Sequence, residues 1–411
     1  MSTPNSGICN DGDAIHRLPN ELLAEIFLIG WQKNRERVWY LSTICLVCRI
    51  WRDVALSASL LWTKILYREI KDKDATQPYH DLPRRTEERI EAYLSRSKNA
   101  TIDIGLILQH GRDLVRVKDM IFPHLSRCRS IHLVSASENK DLASQLFPLP
   151  RHLPQLTYLH CSGYHDEKAE PIPLLLVSGT GNMARLRRVS LCNLSVNLAD
   201  LNSINTENVN QLVLKGCNFA WRDAFTFASQ CHSLCKLELV TRPPTQRDIF
   251  PPITLPQLTD LEVFGIELTA AFRAPNLQTL SVHRNLYGKP YWPVPSSPTA
   301  HFPNLHTLTF FKANVAQREF IAFLQCNPTI KELCISDYQG ELWELGQLLL
   351  DHAGVTTGNK PKFTLLPSLK RLAIYAKLEQ EIDLEGLRSL RPMLCIRGKG
   401  IGLSWAHCSF L

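Results

Sequence analysis

The chain has 411 residues, 45% of them apolar, and a formal net charge of +7 from 46 basic and 39 acidic residues. That length is too great for one compact core and that apolar content excludes wholesale disorder, so a short domain and a longer one are expected. The basic residues are scattered, without the clustered stripe a nucleic-acid surface needs, and no apolar run is long enough to span a bilayer.

The opening "MSTPNSGICN" has neither a basic start nor an apolar stretch, so it is not read as a signal peptide. A soluble, intracellular protein, cytoplasmic or nuclear, is expected. The 13 cysteines lie mostly inside apolar patterns and read as small buried hydrophobes. Without a secretory route, the tripeptides at Asn99 and Asn193 that match a glycosylation site are taken as coincidence.

The first predicted helix begins at Pro19 or Asn20, with Glu21 suited to its positive end. Leu22, Leu23, Ile26 and Phe27 recur at helical spacing and predict one apolar stripe. Gly30 and the charged run after it predict a loop. A second helix follows, in which Ile44, Val47, Cys48, Trp51, Val54 and Ala55 repeat at three and four residues. After a serine-containing break come Leu60, Leu61 and Trp62. A unit of this size has a very small core. So many leucines, with Trp51 and Trp62 among them, suggest a surface made for a partner.

"LPNELLAEIF", "VCRIWRDVA" and "LLW" together resemble the F-box. The residues that carry the resemblance are Leu18, Pro19, Glu21, Leu22, Leu23, Ile26, Phe27, Val47, Cys48, Trp51, Arg52, Ala55, Leu61 and Trp62. The resemblance implies a helical module, residues 14–67, that docks on the Skp-family adaptor of a cullin-RING ubiquitin ligase. It implies adaptor contacts from Leu18, Pro19, Leu22, Leu23, Ile26, Phe27, Val47, Cys48, Trp51, Leu61 and Trp62. The charged "QKNRER" insert is longer and more polar than is usual in that family.

Residues 68–119 predict a linker, a helix and the strand that leads into the remainder. "KDKDATQPYHDLPRR" is the linker, and "TEERIEAYLSRS" is a helix with acids in its first turn and Ile90, Tyr93 and Leu94 on its apolar side. "NATIDIGLIL" alternates as a strand. The passage around it is similar to one that follows the F-box in fungal F-box proteins.

From residue 120 to residue 411 one pattern returns: an apolar residue, another three on, another two further. It is led by a proline in "LPQLTYLHC", "LPQLTDLEV", "APNLQTLSV", "FPNLHTLTF", "NPTIKELCI" and "LPSLKRLAI", at Pro154, Pro256, Pro275, Pro303, Pro328 and Pro367. "MARLRRVSL", "TENVNQLVL" and "CHSLCKLEL" carry it without one. The spacing, mostly in the twenties, is the leucine-rich-repeat signature, in which each strand-bearing unit covers the next. The buried Asn or Cys of that family is matched only by Cys217 and Asn285, so the repeats are irregular. The fold class expected is therefore α/β: a short helical module followed by an irregular leucine-rich-repeat solenoid. "WRDAFTFASQ", "QREFIAFLQ" and "ELWELGQLLLDH" predict helical returns, and the Pro-rich stretch from Arg284 to His301 a long loop.

No catalytic constellation stands out. Cys45 and Cys48 have no second cysteine pair, and neither have Cys231, His232 and Cys235, so no metal is expected. "SGTGNMAR" is no phosphate loop, and no nucleophile elbow or HExxH occurs. No cofactor and no enzymatic role are expected. The resemblance implies a substrate-receptor subunit of a ubiquitin ligase, with the repeats capturing a target protein. Residues between the repeat leucines face one side of the strands. They include Asp260, Glu262, Thr307 and Glu332, and the substrate contacts proposed among them are Tyr158, Phe264, His283, Phe311, Arg371 and Tyr375. The alternative reading is a repeat scaffold whose N-terminal helices only cap it. Neither reading involves nucleic acid or membrane.

Overall fold

The computed structural model describes residues 18–33, 39–69, 82–108, 114–135, 149, 153–163, 183–199, 206–241, 252–283, 302–311, 323–338, 353–354, 362–363, 366–376 and 394–398. The protein is α/β and divides into two compact units, Met1–Leu146 with His152–Leu156, and Phe147–Arg151 with Thr157–Leu411.

The first unit opens with three helices, α1 (Asn20–Lys33), α2 (Trp39–Val47) and α3 (Arg49–Ser57), and a 3-10 turn at Ser59–Trp62. Two expectations are corrected here. Gly30 does not break α1, which runs on to Lys33 so that Leu23, Phe27 and Trp31 form its buried edge. Glycine serves packing at this point: a Cβ there would lie 1.8 Å from the Tyr40 hydroxyl, and the Tyr40 ring stacks 6.3 Å from Trp31. The expected second helix is in fact two. Cys48 leaves helical geometry (φ −157°, ψ 172°) and its sulfur accepts the Trp51 N–H at 3.5 Å, capping α3. A β-region residue between two helices breaks the apolar period, which is why the spacing of Val47 and Cys48 misled.

The unit continues as β1 (Lys64–Arg68), α4 (Leu82–Arg96), β2 (Ile102–Leu108), α5 (Leu114–Ile121) and β3 (Cys128–Ser135). The three strands pair in parallel in chain order. α4 starts at Leu82, earlier than the acids of its sequence predict; Pro83 falls in the first turn, where its missing N–H has no helical partner anyway. Its other end is closed by Arg127, which donates to the carbonyls of Leu94 and Ala100 and to the Ser97 hydroxyl at 2.9 to 3.1 Å. β2 alternates buried and half-exposed residues throughout, as expected. The predicted helical module, and the helix and strand after it, all lie in this unit.

The second unit is built on a sheet of parallel strands, β4 (Tyr158–Ser162), β5 (Arg188–Cys192), β6 (Gln211–Lys215), β7 (Lys236–Val240), β8 (Asp260–Phe264), β9 (Thr279–His283), β10 (Thr307–Phe311), β11 (Glu332–Tyr338), β12 (Arg371–Ala376) and β13 (Leu394–Gly398). Each strand pairs with the next in sequence. Two short pairs, Ile253–Thr254 with Phe272–Arg273 and Ala353–Gly354 with Lys362–Phe363, stand apart from it. α6 (Trp221–Gln230) precedes β7 and buries Trp221, Phe225 and Phe227, as its sequence predicts. The other two predicted helical returns and the Arg284 to His301 stretch lie outside the described residues, apart from the turn of helix at 323–326.

The proline acts one step earlier than a strand entrance. From β5 to β12 every strand is preceded by a turn in which an N–H bonds the carbonyl three residues back, as Leu258 does to Leu255 and Leu369 to Leu366. Pro256, Pro275, Pro303, Pro328 and Pro367 occupy the second place of these turns, where a fixed φ suits the geometry. Pro154 takes the same place in the turn that Leu156 closes on Leu153. The residue opening each turn is buried too: Met183, Cys231, Leu255, Ala274, Phe302 and Asn327 among them. The repeating core thus has four inward positions, one more than the triple read from the sequence. Just past each turn two successive N–H groups share one carbonyl of the preceding unit, as Cys235 and Lys236 do with Asn210, and Thr259 and Asp260 with Cys235.

Asn327 replaces an apolar residue in this series and is fully buried, yet its amide is satisfied. Its Oδ1 accepts from Phe302 N–H at 2.7 Å and its Nδ2 donates to Phe323 O at 2.8 Å. The cysteines make a similar use of their thiols: Cys217 donates to Leu191 O at 3.1 Å and Cys231 to Phe227 O at 3.2 Å. Burial pushes the thiols of Cys128, Cys217 and Cys231 up to about 12 and raises that of Cys161 further. Iodoacetamide at pH 8 followed by mass spectrometry is therefore expected to leave these four unlabelled in the folded protein and to label them in denaturant, because the thiolate is the reactive form.

Candidate functional site

Among the described residues no helix is long and apolar enough to cross a membrane, and no group of three or more His, Cys, Asp or Glu side chains could hold a metal ion. Cys231 and Cys235, singled out in the sequence, donate their thiols to the carbonyls of Phe227 and Asn210. What the fold presents instead is two surfaces, one on each unit.

On the first unit, the structure sorts the residues expected to touch an adaptor. Leu23, Phe27, Leu61 and Trp62 are buried. Phe27 meets Trp51 with ring centroids 5.0 Å apart. Trp62 donates its indole N–H to Ala55 O at 2.8 Å and stands edge-on to Tyr93 at 5.0 Å, beneath the Arg96 guanidinium. These four side chains hold the helices together and are enclosed by them. Leu18, Cys48 and Trp51 are half-buried. The Trp51 indole N–H is shielded from water and finds no acceptor among the described residues. Pro19, Leu22, Ile26 and Val47 are exposed.

The four-residue stripe predicted for α1 is therefore two stripes. Leu23, Phe27 and Trp31 face inward; Leu22, Ile26 and Ile29, displaced by one or two positions, face outward and are 47%, 50% and 48% exposed. Trp39, Leu46, Val47, Ile50 and Leu60 add to the outward apolar surface, with Leu46 reaching 75% exposure. Ile29, Trp39, Leu46 and Ile50 were not among the residues singled out from sequence, and Leu60 was named there without being counted as an adaptor contact. The break at Cys48 hid two of them: with α2 and α3 read as one helix, Leu46 and Ile50 fall off the apolar stripe. Exposed apolar side chains at this density are unusual in so small a module.

On the second unit, β4, β8, β9 and β10 show one face buried and one half-exposed, while β7 buries its outward Glu238 as well. Register gathers the candidate substrate residues into two rows across the sheet. Tyr158 and Arg371 stand at the two ends of one row, which runs through Arg188, Gln211, Lys236, Asp260, Thr279, Thr307 and Glu332. Phe264, His283, Phe311 and Tyr375 share another, with Ser336 between the last two.

The rows are joined by a chain of polar contacts. Lys215 Nζ lies 2.7 Å from Glu238 and 3.0 Å from Glu262, Lys236 lies 2.7 Å from Glu238, and His283 Nε2 lies 2.8 Å from Glu262. The His283 ring stacks on Phe311 with centroids 4.4 Å apart and planes 13° from parallel. Glu262 Oε1 receives both Lys215 and His283. Sequence reasoning placed Glu262 in this surface but passed over Lys215 and Glu238, although the same alternation points to Glu238 between Leu237 and Leu239.

The hydrogen bond from His283, with the Lys215 bond and charge, holds Glu262 below the ordinary carboxylate range against the opposing effect of burial. A depressed value means that the folded state binds its proton less readily than the unfolded chain does. This stabilisation is complete above about pH 4.3, the unfolded glutamate value, and is lost as pH falls through the lower folded value. Urea melts of the wild type are expected to show a midpoint that drops below pH 4.3, and Glu262→Gln to flatten that limb.

No model of a known protein family matches the chain, and no curated protein matches it.

Proposed function

We propose that the chain is the substrate-receptor subunit of a Skp-cullin-F-box type ubiquitin ligase. The first unit docks on a Skp-family adaptor, and the second, an irregular leucine-rich-repeat solenoid, binds a target protein. The observation that carries this reading is the outward apolar surface of α1 to α3 and the turn after them, in which Leu22, Ile26, Val47 and Ile50 stand open. It coincides with the stretch that resembles the F-box. Exposed positions four apart on a helix are what a partner's groove engages.

Support for the second half of the reading is the half-exposed face of β8, β9 and β10, with Phe264, His283 and Phe311 in one register row. Aromatic side chains dominate the energetics of protein interfaces. The chain's own role is proximity: it raises the local concentration of a target beside a transferase carried by other subunits. The competing reading, a scaffold that joins no ligase, has the same second unit and needs no adaptor.

Co-expression of the full chain with a Skp-family adaptor from a fungus, followed by size-exclusion chromatography, separates the two. The expected result is a one-to-one complex that survives 0.5 M salt, since its core is apolar. A folded chain that elutes apart from the adaptor overturns the ligase reading and leaves the scaffold.

A further inference from the structure

We infer that the half-exposed face of β8 to β10 is a subsite for a basic side chain, arginine above all, of the protein bound by the second unit. The inference rests on the reading of that unit as a protein-binding surface and names the chemistry it selects.

Outward positions on these three strands carry two carboxylates, Asp260 and Glu262, and three rings, Phe264, His283 and Phe311, with only hydroxyl residues between them and no lysine or arginine. The nearest cations, Lys215 and Lys236, come from β6 and β7. Both are engaged by Glu238, which leaves three carboxylates against two ammonium groups in the cluster, with His283 adding a positive charge only when protonated. The cluster thus has a local acidic excess inside a chain whose net charge is +7.

Glu262 is also only half used. Lys215 and His283 both approach Oε1, while Oε2 accepts no hydrogen bond from the described residues. The bond to His283 fixes the carboxylate, and stacking on Phe311 fixes the imidazole, so Oε2 is held in place before any partner arrives. Phe264 stands two residues along β8 on the same face, and pairs in register with His283. A planar cation suits this arrangement: its N–H groups reach a carboxylate while its face lies against a ring. An acidic or phosphorylated segment is disfavoured by the same charges.

The test uses the full chain and a fluorescein-labelled nona-arginine peptide as probe, with fluorescence anisotropy at 0.15 M salt. A nona-citrulline peptide, which keeps shape and hydrogen bonds but lacks charge, is expected to bind at least about tenfold more weakly. Glu262→Gln and Phe311→Leu are each expected to weaken nona-arginine by about threefold to tenfold. Glu88→Gln, the same loss of charge on the exposed surface of α4 in the first unit, is expected to change nothing. Equal binding of the two peptides to the wild type overturns the inference whether or not the variants fold. So does equal weakening by Glu262→Gln and Glu88→Gln. The adaptor assay does not involve this face. Adaptor binding without arginine preference removes the subsite alone, and arginine preference without adaptor binding leaves the subsite on a scaffold.

Discussion

Glutamate at Leu22 and Ile26 together is expected to leave the chain folded and to abolish its complex with a Skp-family adaptor. Both side chains are about half exposed, and neither belongs to the edge of α1 that packs inward. Glutamate is a good helix former, so α1 loses nothing by propensity. In the complex the same two positions would carry buried, unpaired charge. An interface anchor contributes about 2 kcal/mol or more, and the pair about 4 kcal/mol, which is roughly a thousandfold in affinity. Circular dichroism and the thermal midpoint of the double variant should match the wild type while co-elution is lost. Retained co-elution would place adaptor binding elsewhere on the chain.

Trp62→Ala is expected to act by another route, through stability. Its indole is almost wholly enclosed, bonds Ala55 O, stands against Tyr93 and lies under Arg96, so it ties the end of the helical module to α4. Removing a buried aromatic of this size costs about 3 to 5 kcal/mol. The helical module has a small core, and such a loss is a large part of the stability a domain commonly has. Trp62→Phe keeps most of the ring contact and gives up the hydrogen bond, at about 1 to 2 kcal/mol. Urea unfolding should therefore rank wild type above Trp62→Phe above Trp62→Ala, while Trp62→Phe still binds the adaptor at low temperature. If Trp62→Phe unfolds like the wild type yet fails to bind, Trp62 is a contact residue after all.

The sequence was most informative where one physical period ruled. β2 and, in the second unit, β4, β6, β8, β9 and β10 alternate as written, because a sheet with one buried face enforces a period of two. α6 was likewise legible from its own spacing. The helical module was legible in kind and not in detail. Leu22 and Leu23 are neighbours in sequence and point to opposite environments, and an apolar period cannot say which of two apolar faces is covered. Gly30 looked like a break because its use, making room for Tyr40, depends on a residue in another helix. Cys48 looked like core because its role as a cap depends on backbone angles. In the second unit the inward turn residue was missed since it is chemically mixed: Leu255, Ala274, Phe302 and Asn327 share a place and not a side-chain type. The contacts around Glu262 join residues up to 47 positions apart, and no local pattern reports them.

The joints of the second unit have one more consequence. At each joint the incoming segment offers two N–H groups to one carbonyl of the segment before, and repeats the offer at the next. The bonding groups are backbone groups, which every residue but proline supplies, and each segment meets chiefly its two neighbours. A duplicated segment spliced in at such a joint would find the same acceptor behind it and present the same acceptor ahead. Chains of this kind can lengthen or shorten by whole segments through unequal recombination while their ends stay as they were. Each such event adds or removes one rung of the outward face and so changes what that face can hold.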